Sequence, residues 1–202
     1  MTRSLLTGLL ASSLTAGVLA QPTPGQSAPN FRAADVAGKQ VSLADFKGKY
    51  VVLEWNNPGC PFVQKHYDSG NMQSLQKRFG AENVAWLSIN STADDNSDYM
   101  APAKLAAWFK QHNAAPTAVL MDTKGEVGRA FGAKVTPHMY VIDPNGTLVY
   151  AGAIDDKRST NVADVKTASN YVVAALTDVK AGKPVSKASN QAYGCTIKYS
   201  GM

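Results

Sequence analysis

Cysteine and histidine are both scarce. The chain has two cysteines, Cys60 and Cys195, and three histidines in 202 residues, and no Cys/His spacing of a recognised metal motif occurs. Past the N-terminus there is no long apolar run of the kind a membrane span needs. Basic residues do not cluster. The twenty Lys and Arg against fifteen Asp and Glu give a net charge of +5, but they are scattered and not interleaved with aromatics, so no nucleic-acid surface is indicated. Internal repeats are absent. Asp94, Asp95 and Asp98 lack the spaced glycine and closing glutamate of a calcium loop and read as a solvated turn.

What is present begins with an address. Arg3 precedes an apolar stretch from Leu5 to Leu19, and Val18-Leu19-Ala20 is followed by Gln21-Pro22. This is the pattern of a secretory signal peptide cleaved after Ala20. The expected product is an exported protein, periplasmic or secreted, with no membrane segment. Residues 21–29, rich in Pro, Gly, Ser and Gln, read as a linker. Residues 30–182 read as one domain, and residues 183–202 as an irregular tail carrying Cys195.

The apolar run Tyr50-Val51-Val52-Leu53 predicts a core strand reaching Trp55. It leads into Asn56-Asn57-Pro58-Gly59-Cys60-Pro61-Phe62. Pro at a first helical position is favoured, so Cys60 falls at or next to the N-cap of a helix expected to break or kink near Gly70. A thiolate there faces free N–H groups and the positive helix end, and thiolate is the reactive form. Lys65 and His66 are expected to add positive charge. Further strands are expected over residues 84–90, 117–122, 138–143 and 147–152, with a Pro144-Asn145-Gly146 hairpin turn. Helices are expected over 101–113, 126–131 and 164–180. The order predicts an α/β sandwich with a mixed central sheet and helices on both faces. Trp55, Trp86, Trp108 and Phe109 read as core or pocket wall.

The cysteine at the first strand–helix corner, the segment from Gly128 to Gly146 with its Thr136-Pro137, and the tail Tyr193-Gly194-Cys195-Thr196-Ile197-Lys198-Tyr199 together resemble the thioredoxin fold. Within it, the chain is similar to the peroxiredoxin-like branch of the alkyl hydroperoxide reductase/thiol-specific antioxidant group. The resemblance implies a cis proline at Pro137 beside a reactive Cys60. Redox-active thioredoxins carry Cys-x-x-Cys; here Asn57 stands at the first of those positions. Peroxiredoxins place Pro and Thr seven and three residues before the peroxidatic cysteine; here those residues are Leu53 and Asn57.

What the resemblance implies is a thiol-dependent oxidoreductase with no cofactor. Cys60 would attack a small peroxide or disulfide, Cys195 would resolve the product, and an external thioredoxin-like dithiol protein would re-reduce the pair. Trp55, Asn57, Thr136, Pro137 and Arg129 are candidate substrate contacts. Two alternatives stay open: a permanent Cys60–Cys195 staple in a non-enzymatic domain, and a copper site joining the cysteines to His138 or His66.

Overall fold

Strand β3 (Val51–Trp55) is buried at all five positions, as a β-branched, nearly continuous apolar run requires when both faces of a strand are covered. In the computed structural model, which describes residues 21–201, β3 lies inside a seven-stranded mixed sheet. Its neighbours are β4 (Ala85–Asn90), parallel, and β7 (His138–Ile142), antiparallel. Beyond β4 come β5 (Ala118–Met121), β1 (Arg32–Asp35) and β2 (Gln40–Ser42); beyond β7 comes β8 (Leu148–Gly152). The signal-peptide reading falls on residues 1–20 and lies outside the described residues.

Alternation along β3 divides the core. Val52 joins an apolar cluster with α1 (Pro61–Asp68), α2 (Asn71–Ala81), α3 (Pro102–Gln111) and α5 (Tyr171–Lys180). Val51, Leu53 and Trp55 join the other cluster, with Val127 and Phe131 of α4 (Glu126–Phe131) and Tyr140 of β7. Helices therefore cover both faces. Gly70, at φ +73, separates α1 from α2. That is the predicted break, set by the one residue type that takes this conformation cheaply. The residue pairing of β7 with β8 is the predicted hairpin.

Three segments differ from expectation. The helix expected over 164–180 is split into a short 3-10 turn, Val162–Thr167, and α5. Asp156 Oδ1 takes the Ser169 N–H at 2.9 Å, and the Asn170 side chain caps α5 by accepting from Val173 N; both draw the backbone out of helical geometry. Residues 21–29, read as a linker, bond along the β8 hairpin: Gly25 N donates to Leu148 O (2.8 Å) and Ala28 N to Gly146 O (2.9 Å). The tail, read as irregular, contains β9 (Cys195–Thr196), paired antiparallel with β6 (Val135–Thr136). Tyr193 and Ile197 on either side of it are buried.

Candidate active site

Asn57 builds the corner that delivers Cys60. Its side-chain Oδ1 accepts the Gly59 N–H at 2.8 Å, and its carbonyl accepts the Cys60 N–H at 3.0 Å, an Asx-type turn. Cys60 is the N-cap of α1 with extended backbone, and Pro61 opens the helix. The Cys60 side chain is only 1% exposed. Its thiol donates to the Thr136 carbonyl at 3.0 Å, and the Thr136–Pro137 peptide is cis. The Thr136 hydroxyl is buried with no partner.

The β6–β9 register sets Thr136 opposite Cys195, and so brings a residue 135 positions away onto the first cysteine. Both thiols are free, and they lie close enough for Cys60 to act on the ionisation of Cys195. Gly194 makes this approach possible. A Cβ there would sit 1.9 Å from the Thr136 oxygen, the atom that accepts the Cys60 proton, and its φ of +141 is itself unfavourable for other residues. Burial first, then the hydrogen bond and charge of Cys60, push the Cys195 thiol up to about 12; Lys198 and the Phe62 N–H partly oppose this. Cys195 therefore holds its proton at neutral pH and can donate it toward the Cys60 sulfur.

Lys65 and His66 do not supply free positive charge to Cys60. Both are buried in a polar cluster around Asp155. Lys65 Nζ donates to Lys157 O at 2.8 Å and lies 3.7 Å from Asp155 Oδ2. The Tyr193 hydroxyl donates to Asp155 Oδ1, so the cluster reaches the tail two residues before Cys195. Asn71 Nδ2, a pure donor, faces His66 Nδ1 at 2.9 Å; the imidazole proton is thus on Nε2, 3.8 Å from Asp155 Oδ2. Burial pushes His66 down to about 4, with Asp155 opposing and Lys65 reinforcing the shift, so the ring is neutral at physiological pH.

Of the other sequence candidates, Asn57, Thr136 and Pro137 surround Cys60, and two do not. Trp55 is fully buried on the opposite sheet face, packed on Phe131 and Tyr140 and donating to Ser91 Oγ at 3.0 Å. It is core, as alternation from Val52 requires. Arg129 is occupied at the end of the tail. Its guanidinium donates to Lys124 O and Ser200 O and stacks on Tyr199. His138 lies opposite Trp55 in the β3–β7 register, with Nδ1 near Tyr140 Oη (3.3 Å). Among the described residues no three His, Cys, Asp or Glu side chains are grouped to hold a metal.

Two residues to which the sequence assigned no role sit in dense polar surroundings. Asp155 is one. The other is Glu54, fully buried in β3 and accepting from Asn56, Tyr67, Gln76, Trp86 and Ser88. The only sequence signal was a lone carboxylate between Leu53 and Trp55.

Comparison with known proteins agrees with this arrangement. Residues 24–151 match the AhpC/TSA family. The chain is 32% identical over 160 residues to chloroplastic peroxiredoxin Q of Suaeda salsa, covering 73% of this chain and 68% of that one. It is 28% identical over 126 residues to the thiol-disulfide oxidoreductase ResA of Bacillus subtilis, covering 62% of this chain and 64% of that one; it thus spans somewhat under two thirds of that relative's length. Among solved structures, an uncharacterised conserved protein from Geobacillus kaustophilus superposes with a TM-score of 0.75 at 26% identity, covering 89% of this chain and 93% of that one. A hypothetical protein from Sinorhizobium meliloti 1021 does so at 0.74 and 25%, covering 91% and 98%. A thioredoxin-fold domain with a cysteine capping the first helix of its sheet, a cis proline beside it and this family match over most of the sheet places the chain in the AhpC/TSA family of thioredoxin-like redoxins.

Proposed function

We propose that the protein is an exported thiol-dependent oxidoreductase that reduces small hydroperoxides through Cys60, with Cys195 as resolving thiol. The observation that carries this is the contact between the two free thiols, made by the Thr136–Cys195 register. The Cys60 thiolate attacks the distal peroxide oxygen; the O–O bond breaks, the departing alkoxide takes up the proton that Cys60 gave up on ionising, and alcohol leaves as Cys60 becomes a sulfenic acid. Cys195 sulfur then attacks Cys60 sulfur, its proton goes to the departing oxygen, and water and a Cys60–Cys195 disulfide result. A thioredoxin-like dithiol protein returns two electrons. With Cys60 only 1% exposed, a small oxidant suits the site better than a folded disulfide substrate. Export rests on the N-terminal sequence. Among the described residues no helix is long and apolar enough to cross a membrane.

The same contact also supports a permanent staple, which on the chain-entropy account would add roughly 3–5 kcal/mol. Differential alkylation with peptide mass mapping separates the two. The expected result is a Cys60–Cys195 link that opens under mild dithiol and re-forms with one equivalent of hydrogen peroxide. A link that survives mild dithiol in the folded protein means a staple, and thiols that ignore peroxide rule out the enzyme.

A further inference from the structure

We infer that the protein carries a second binding site, remote from the thiols, for a free carboxylate with a linear alkyl chain, of fatty-acid type. A cavity of about 280 Å³ opens between residues 27–30, the 3-10 turn Leu43–Phe46 and the turn that joins β7 to β8. That is the small end of the range for ligand pockets, which are mostly apolar with a few polar groups to fix orientation. The floor here is apolar. Val51 and Ile142, cross-strand partners on β3 and β7, are buried, and Leu43 and Phe46 pack half-buried beside them. The 3-10 turn buries none of its own residues, and Phe46 also borders two further cavities of about 530 and 130 Å³. On those sides its ring forgoes packing contacts, so a slender alkyl chain can slide in beside it. Val51 opens β3, and the Cys60 corner follows the other end of that strand. At about 3.3 Å per residue the strand alone separates the two by roughly 13 Å. The site is therefore independent of the redox cycle proposed above.

The rim selects the headgroup. Its acceptors are spent on their own turns: Asp143 Oδ1 takes the Asn145 and Thr147 N–H groups at 2.9 and 2.8 Å, and Asn30 Oδ1 takes the Phe31 N–H at 3.1 Å. Its donors are not. Lys47 and Lys49 are exposed on the lip of the cavity, and neither belongs to an ion pair among the described residues. Two ammonium groups thus stand against one carboxylate that is already engaged, above an apolar floor. An alkyl chain ending in a carboxylate complements both parts: the chain leaves water and the head meets the two cations. A neutral amphiphile would gain only the first. A second copy of this chain suits the groove less well, because a two-fold contact there would bring Lys47 and Lys49 up to their own counterparts.

The test titrates the full mature chain, labelled with ¹⁵N, with sodium octanoate at low ionic strength and follows the amide shifts. Saturable shifts are expected in residues 27–30, 43–51 and 142–146, with the amides of Cys60 and Cys195 unmoved. Hexanoate should bind roughly tenfold more weakly, since each buried methylene is worth about fourfold in affinity. The exposed pair Lys47→Gln with Lys49→Gln should weaken octanoate by about fivefold, and 1-octanol should bind the wild type more weakly than octanoate by a similar factor. Octanol equal to octanoate, an unchanged affinity in the double variant, or shifts that never saturate or map outside these segments would overturn the inference. A dimer mass by light scattering that octanoate does not disperse would give the groove to a second copy instead, and would overturn it as well.

Discussion

Two carboxylates are buried to the same degree in this molecule and do different things. Glu54 is fully excluded from water and faces five neutral donors, Asn56, Tyr67, Gln76, Trp86 and Ser88, all within β3, β4, α1, α2 and the corner after β3. Asp155 is 2% exposed and faces one charge, Lys65 at 3.7 Å, beside the neutral His66 ring at 3.8 Å and the Tyr193 hydroxyl. Apart from the nearby Lys157 N–H at 3.0 Å, its partners come from α1 and from the tail. Glu54 locks a layer to itself; Asp155 ties the helix that begins at Cys60 to the segment that ends in Cys195. Burial alone does not distinguish them. What does is which chain segments their partners join.

The largest expected effect breaks the Glu54 side of this comparison. Glu54→Ala leaves five donors in a dry interior, each costing ~1–3 kcal/mol before relaxation; the expected loss of unfolding free energy is roughly 4–6 kcal/mol. Denaturant melts measure it, and a loss below about 1 kcal/mol would mean that water enters and satisfies the donors. In the fraction that stays folded, Cys60–Cys195 disulfide formation after peroxide should keep its wild-type rate. Asp155→Asn is next. It strands the Lys65 ammonium, and breaking a buried pair costs roughly 3–5 kcal/mol. Here the rate should fall too, because the Tyr193 anchor loosens and Cys195 drifts from Cys60; misplacement of about 1 Å in a reacting pair costs on the order of a hundredfold. Stopped-flow disulfide formation reads this out. A loss of stability with the rate intact would reduce Asp155 to the same layer-locking role as Glu54.

The two regions were also unequally legible in the sequence. Strands β3, β4, β5 and β7 announce themselves as apolar β-branched runs, and the Cys60 corner by Pro61 and the strand before it, because their signals are local. Strand β1 has only Arg32-Ala33-Ala34-Asp35, whose pairing is decided by β2 and β5 rather than by its own residues. Strand β9 is two residues long; it exists because β6 offers an edge and Gly194 has no Cβ to meet the Thr136 carbonyl. Lys65 and His66 are near Cys60 in sequence, but at about 100° per residue a helix turns positions five and six away from its N-cap onto other sides. There they meet Asp155, some ninety residues on. Nothing local distinguishes a buried Asp155 from its exposed neighbour Asp156.

The smallest effect sharpens the comparison through pH. His66 is pushed down to about 4, chiefly by burial, against about 6.5 in an unfolded chain. A depressed histidine pKa means the folded state refuses a proton that the unfolded state accepts. Between pH 6.5 and 4 the unfolded chain therefore binds more protons, and stability rises with pH. The contribution is fully present above about pH 6.5 and is lost as pH falls toward 4, at most about 3 kcal/mol. His138, also pushed down to about 4 by burial, with Lys134 adding to the shift, has the same sign on the opposite sheet face, so wild-type protein should carry a slope near two protons in this window from the two rings. His66→Gln keeps the volume and removes one of them, and chemical denaturation across a pH series should show the slope fall by about one proton. Peroxide-driven disulfide formation in the same variant then separates the roles of the ring. A reduced slope with an unchanged rate makes the neutral imidazole a filler beside the Asp155–Lys65 pair. An unchanged slope would mean His66 is charged in the folded state and that Asp155 serves two cations rather than one.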